Sequence, residues 1–349
     1  MKRRIYIGSY THKHNPPRGE GIYLYDFDDE EGALEKVCVN SDAVNPSWIT
    51  FSKTRDVLYA TEESREASAI SAFRIAGDEL VWIGRIVTEE RNLCHLSLWP
   101  GERFLTASSY SSGSLVTVEL DDEGNFLGIT DIIRHQGSGP HPQMQQGAHV
   151  HSAFPFPDGK HLLASDLGSD TLTVYEMDPC AKLLVEKQVV QVEPGEGPRH
   201  VAFSPDGRFV TMAAQLGNHF HVFPVTKDGL GERIQKLGTC PDTYQGPCEG
   251  AADVHYSADG RFVYGSNRGH NSIVVCKVEE DGTLTSRRWF SCEGDGPKSF
   301  YLTEDQRFIY IANQYSGNVV VKQVEEDGAI GETVTEVKIP KAVFVAERG

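Results

Sequence analysis

The sequence predicts an all-β chain: a seven-bladed β-propeller of four-stranded antiparallel blades, its first blade closed by the C-terminal strand. Three observations predict it. Seven strand-like segments recur at intervals of roughly fifty residues. Each is followed by a second alternating strand and a polar hairpin. The first unit lacks a strand that the last residues of the chain supply.

The recurring segments align without a gap: RIYIGSY (4–10), VLYATEE (57–63), FLTASSY (104–110), HLLASDL (161–167), FVTMAAQ (209–215), FVYGSNR (262–268) and FIYIANQ (308–314). Their last residues are spaced by 53, 47, 57, 48, 53 and 46. Each begins with β-branched or aromatic residues, which favour strands, and passes to small residues where neighbouring elements crowd.

The second strand reads SGSLVTVEL, SDTLTVYEM, GNHFHVFPV, HNSIVVCKV or SGNVVVKQV in the units where it is clearest. Polar hairpins such as DDEGNF, TKDGL and EEDGTL come next, because glycine accepts the positive φ that such turns need. Six segments are preceded by a further strand, among them HLSLWPGE, HSAFPFPDG, HVAFSPDG and DVHYSADG. The first has none; KAVFVAERG (341–349) completes it from the other end. Such a strand closes the ring and removes the free edges of an open sheet. Residues 1–349 are thus expected to form one domain.

Of the 349 residues, 39% are hydrophobic and 24% charged, ordinary values for a globular chain. The net charge of −17 argues against a nucleic-acid or anionic-membrane surface. An anionic ligand would have to be drawn in by a local positive site. The basic N-terminus has no apolar run behind it, so no signal peptide is expected, and no stretch reaches membrane-span length. The seven cysteines are scattered without a CxxC pair, which suggests free thiols and a cytoplasmic location. Cys240 and Cys248 flank one loop and are the pair to check for a bridge.

In a propeller the innermost strands line an axial channel, so the residues just before the first strand and just after the second form one of its mouths. From the approaching side this selects Asn45, His95, His149, His151, Arg199, His200, Asp253 and Lys298; from the leaving side, Tyr10, Glu62, Glu63, Tyr110, Asp166, Gln215, Arg268 and Gln314. Polar residues converging there make the default site. His149 and His151, two apart on an extended segment, are expected on one side, as a base and its partner, as metal ligands, or as structural histidines. Arg199 and His200 follow a Gly-Pro turn; Arg199 and Arg268 suit a carboxylate or phosphate, or a structural ion pair. Asp166 serves either the site or its own turn. No GxSxG, HExxH, glycine-rich phosphate loop or Trp-Asp dipeptide is present.

GSYT (8–11), NPSWITFS (45–52), LYATEE (58–63), AHVHS (148–152), DLGSD (166–170), GEGPRHVAFSPDGR (195–208), SADGRFVYGSNRG (257–269) and GPKSFYL (296–302) together resemble the seven-bladed-propeller lactonases. That family includes bacterial 6-phosphogluconolactonases of the propeller type and fungal carboxy-cis,cis-muconate lactonizing enzymes. The resemblance covers essentially the whole chain. It implies catalysis in the axial funnel by a histidine matching His149 or His151, with Arg199, Arg268 and a glutamate of an Asn-Glu-Leu motif. Here that motif reads Ala214-Gln215-Leu216. The family's Arg-Gln pair stands as Gln145-Gln146, and its Pro-Arg-x-Phe as Pro297-Lys298-Ser299-Phe300.

The reading that follows is a hydrolase opening a sugar-acid lactone, of the 6-phosphogluconolactone kind. His149 or His151 would activate water, and Arg199 and Arg268 would hold the anion. His200, Gln215, Lys298, Asp166, Glu62, Tyr110, Gln145 and Gln314 would line the substrate's path. No metal or cofactor is called for, and the partner expected is the small-molecule lactone, on a monomer or weak homodimer. The alternatives are a lactonase or lactonizing enzyme for an unphosphorylated substrate, and a non-catalytic ligand-binding propeller.

Overall fold

In a computed structural model, which describes residues 2–12, 17–246 and 250–348, all the regular elements are strands. No helix among these residues is long and apolar enough to cross a membrane. The strands form seven antiparallel sheets that follow one another in chain order, the blades of a propeller. The innermost strands of blades two to seven are Ile49–Phe51, Leu93–Leu98, Val150–Pro155, Pro198–Phe203, Gly250–Tyr256 and Pro297–Leu302. The recurring segments are the second strands, and those of blades two, three, four and seven are buried end to end. Blade five departs from four strands: Gly229–Leu230 and Gln235–Gly238 both pair with His219–Thr226.

The turns joining first and second strands repeat one piece of chemistry. In SPDG, Asp206 Oδ1 accepts from Ser204 Oγ at 2.6 Å and from the Arg208 amide at 3.1 Å. In SADG, Asp259 does the same with Ser257 at 2.7 Å and Arg261 at 3.0 Å. An aspartate that mimics a backbone turn in this way brings the chain round sharply onto the second strand.

No single core fills the molecule; apolar seams run between adjacent blades. Ile5, Ile7 and Phe27 of the first blade pack with Phe308, Tyr310 and Val321 of the seventh. Leu163, Leu172 and Val174 of the fourth meet Val210, Met212 and Phe223 of the fifth. The seam between blades one and seven exists only because Ala342–Glu347 pairs with Lys2–Ser9, placing Ile5 opposite Glu347 and Ile7 opposite Val345. Val345 lies in the same seam, fully buried.

The innermost strands share an irregularity that matters for the site. Their ladders with the second strands skip a residue between Leu93 and His95, Val150 and Ser152, Pro198 and His200, and Pro297 and Ser299. Two residues are skipped between Ala251 and Val254, and Val343 is skipped in the closing strand. Each is a β-bulge, which leaves one residue, or two in blade six, out of the ladder and re-aims the side chain.

Among the cysteines, Cys38, Cys94, Cys180, Cys276 and Cys292 are free thiols, and Cys248 lies outside the described residues, so the candidate Cys240–Cys248 bridge does too. Ring closure yields a prediction. Truncation before Ala342 should abolish the cooperative thermal transition seen by circular dichroism, whereas Ile5→Ala should keep it and cost about 2–5 kcal/mol. A truncated chain melting like the full one would contradict closure by this strand.

Candidate active site

The bulges build the site. Val343, Cys94, His151, Arg199 and Lys298, one skipped residue from each of five blades, all line one axial cavity of about 250 Å³. Ser47 and Trp48, just before the innermost strand of blade two, contribute from that side. The ends of the second strands add Glu63, Tyr110, Gln215, Arg268 and Gln314. The volume falls below the ~300–1,000 Å³ of pockets for drug-sized ligands, which suits a small metabolite.

Arg199 is held rigidly. Gly197, at φ +65°, sets the turn before Pro198, and a side chain there would strike Leu216. The guanidinium Nη1 donates to the Ala252 carbonyl, and Nε is buried with no partner among the described residues. Burial and the nearby Arg268 bring Arg199 down to about 9, still protonated at neutral pH. Next to it, His200 Nδ1 faces Asp253 Oδ1 at 2.8 Å, and Asp253 also meets His255 at 3.2 Å. Burial and Arg199 lower His200 to about 4, so this imidazole is neutral. The carboxylate fixes the tautomer, with hydrogen on Nδ1.

His151 crosses His200 edge-on at 5.3 Å. Its Nδ1 is buried and has no hydrogen-bond partner among the described residues. Burial first, then the cationic neighbours Arg199, Lys298 and Arg268, holds it well below the usual histidine range. It is a neutral imidazole, one nitrogen protonated and the other a free base, among cationic neighbours. Opposite, Lys298 donates to Tyr10 Oη and lies 4.5 Å over that ring; Tyr10 Oη donates to Glu63 Oε2 at 2.9 Å.

Several expected placements need correction. His149 and His151 do not share a cavity wall. His149 stacks flat on Tyr110 at 4.4 Å, its Nδ1 2.7 Å from the Tyr110 carbonyl, while His151 meets the same ring edge-on; the bulge turns only His151 inward. Glu62 points away: Arg85 grips it from two nitrogens, at 2.8 and 3.0 Å, and Glu63 is the acid in the funnel. Asp166 caps its own turn, accepting from the amides of His149, Gly168 and Ser169 and facing His135 at 3.1 Å. Gln145 is buried beneath its loop, donating to the Leu167 carbonyl at 2.8 Å; the residue of that loop that reaches the funnel is Met144. His95 is fully buried between Trp48 and Phe154, and its neighbour Cys94 takes the funnel position.

Gln215, Lys298, Tyr110, His200 and Gln314 do line the funnel, as do Arg199 and Arg268. Cys94, Met144 and Tyr315 were not expected there; the first could have been found only by anticipating the bulge. Away from the funnel, Glu196, His219 and His221 bring ligand-type atoms together. Both imidazoles meet Glu196 Oε2 at 2.9 Å and Lys236 takes Oε1, while Arg233 approaches His221 Nδ1 at 3.2 Å. The group is satisfied as a hydrogen-bonded clamp between the Glu196 loop and the third strand of blade five.

The family model described as "Lactonase, 7-bladed beta-propeller" matches residues 4–347. A protein of Bacillus subtilis named 6-phosphogluconolactonase is 30% identical over 299 residues, covering 84% of this chain and 83% of its own. Among solved structures, a periplasmic gluconolactonase of Pseudomonas aeruginosa superposes with a TM-score of 0.92 at 29% identity, covering 100% of this chain and 99% of that one. A putative 6-phosphogluconolactonase of Bacteroides fragilis gives 0.90 at 25% identity, with 100% and 98% covered. Match and architecture agree along the whole propeller: the chain belongs to the seven-bladed β-propeller lactonase family.

Proposed function

We propose that the protein hydrolyses a sugar-acid lactone of the 6-phosphogluconolactone kind in the axial funnel, with His151 as the base that activates water. One observation carries the reading. His151 lines a cavity together with Arg199, Arg268 and Lys298, and its Nδ1 has no hydrogen-bond partner among the described residues. Cations withdrawn from water, as Arg199 is fully and Arg268 and Lys298 are in part, are costly unless something anionic meets them. A general base needs a lone pair within reach of water. The funnel combines both. Relatives named 6-phosphogluconolactonase, and the gluconolactonase neighbour, support the substrate class.

In this scheme a water between His151 and the lactone carbonyl gives a proton to the imidazole as its oxygen attacks carbon. Negative charge gathers on the carbonyl oxygen and is offset by Arg199 or Arg268, already oriented and shielded from bulk water. The remaining cations hold the phosphate or hydroxyl-bearing end. His200, locked by Asp253, packs against His151 and limits its rotation. His149 acts at one remove, through the Tyr110 ring on which it stacks.

A second reading, an unphosphorylated lactone, is favoured by the neutral side chains of Gln215 and Met144 at the rim. A panel pairing 6-phosphogluconolactone with gluconolactone separates the two by kcat/KM.

Three outcomes are expected from spectrophotometric hydrolysis, corrected for spontaneous opening. His151→Ala should lower kcat by about 10²–10⁴, and His149→Ala by much less; equal losses would contradict the assignment of the base. Because the His151 imidazole is held below its usual range, it is deprotonated down to acid pH. The acid limb of kcat/KM should therefore fall below pH 6.5; a limb above it would implicate another group. Arg199→Met should raise KM for the phosphorylated lactone at least tenfold, a loss measured by initial rates; an unchanged KM would remove Arg199 from anion binding.

A further inference from the structure

We propose that Lys298 is the general acid of the reaction, the group that protonates the ring oxygen as the lactone carbon–oxygen bond breaks, and that Tyr10 and Glu63 are its positioning residues. The inference rests on the lactonase reading above and adds the other half of the proton transfer.

The geometry comes first. Lys298 is the bulge residue of blade seven, and its side chain enters the funnel. One N–H goes to Tyr10 Oη, and the ammonium lies over the face of that ring. The Tyr10 hydroxyl donates a hydrogen bond to Glu63 Oε2, and Asn92 Nδ2 donates to the other carboxylate oxygen at 3.2 Å. Side chains from three blades thus fix the direction of one ammonium. An ammonium has three donors, so others remain for a ligand in the cavity.

The chemistry of the neighbours narrows the choice. A sugar hydroxyl leaves poorly as an alkoxide, so it needs a proton at the moment of cleavage. Facing the cavity, Arg199 is lowered to about 9, but its Nη1 is committed to the Ala252 carbonyl. His151 and His200 are neutral, and the Cys94 thiol is raised to about 12 by burial. Burial likewise raises the hydroxyls of Tyr110 and Tyr10. Asp253 and His255 are paired with each other behind His200. Lys298 differs from all of these. Burial brings it down to about 8, with Glu63 opposing and Arg199 and Arg268 assisting the shift. A group near the working pH is the best placed to give up and regain a proton.

The step balances as follows. Water adds to the carbonyl carbon and its proton passes to the His151 imidazole. The tetrahedral intermediate collapses, the ring C–O bond breaks, and its electron pair goes to the ring oxygen. A proton moves from Lys298 Nζ to that oxygen, leaving a hydroxyl and a neutral amine. The new carboxylic acid returns a proton to the amine, and His151 releases its own to solvent. The net products are the hydroxy acid anion and one proton.

The test is the pH dependence of lactone hydrolysis by the full chain. Wild type should lose kcat on an alkaline limb near pH 8. Lys298→Arg keeps the charge but not the transferable proton, so it should hold KM within a few-fold, lower kcat by about 10²–10⁴, and lose that limb. Glu63→Gln removes the charge that favours the ammonium, so its limb should move to lower pH in a folded protein. Wild-type kcat and pH profile in Lys298→Arg, or an unmoved limb in Glu63→Gln, would overturn the inference alone. Failure of wild type to turn over any lactone would overturn the lactonase reading and this inference with it.

Discussion

Everything in this molecule depends on one pairing: Ala342–Glu347 hydrogen-bonded to Lys2–Ser9. Blade-to-blade seams carry the apolar burial, and a ring of seams stays shut only while its last seam is made. The strand that closes the ring also carries Val343, a wall of the funnel, and Phe344, which packs on Trp48 of blade two at 5.0 Å. Fold stability and the shape of the site therefore share a cause. Loosening the closure would move blades one and seven, and with them Tyr10 and Lys298.

A second constraint follows from the first. Innermost strands converging on an axis leave little room, and a regular ladder would alternate side chains between the two faces of each blade. A bulge in these strands releases one residue toward the axis without disturbing the seams on either side. The residues so released include an imidazole, a guanidinium, an ammonium and a thiol. Their burial is unfavourable in isolation. The funnel concentrates positive charge at one point of a chain whose net charge is −17, which gives an anionic ligand a place to bind despite the overall field.

The propeller was legible because its signals are local and repeated. Asp-Gly turns, alternating strands and small residues at the strand ends recur at a near-constant period, and the missing strand of the first unit is visible as KAVFVAERG at the other end. Much of the funnel was legible too, since position within the repeat selects Arg199, His200, Arg268, Lys298 and Gln215. What could not be read was which of two adjacent residues turns inward. Cys94 rather than His95 differs from the expectation by one residue, and of the expected pair Glu62 and Glu63 only Glu63 lines the funnel. His151 without His149 differs by a bulge. Alternation alone places such pairs wrongly, because a skipped residue in the ladder is not marked by composition. Gln145 and Asp166 were misplaced for another reason: polar side chains near a site were needed to satisfy buried backbone groups.

The central claim is that the axial funnel, and no other surface of the propeller, receives the sugar acid. A crystal structure with 6-phosphogluconate bound tests it most directly. The account predicts an acidic group of the ligand on Arg199, Arg268 or Lys298, and its carboxyl carbon within water-bridging reach of the His151 imidazole. A ligand seated outside the funnel, or one turned so that the His151 imidazole meets only its remote hydroxyls, would contradict it.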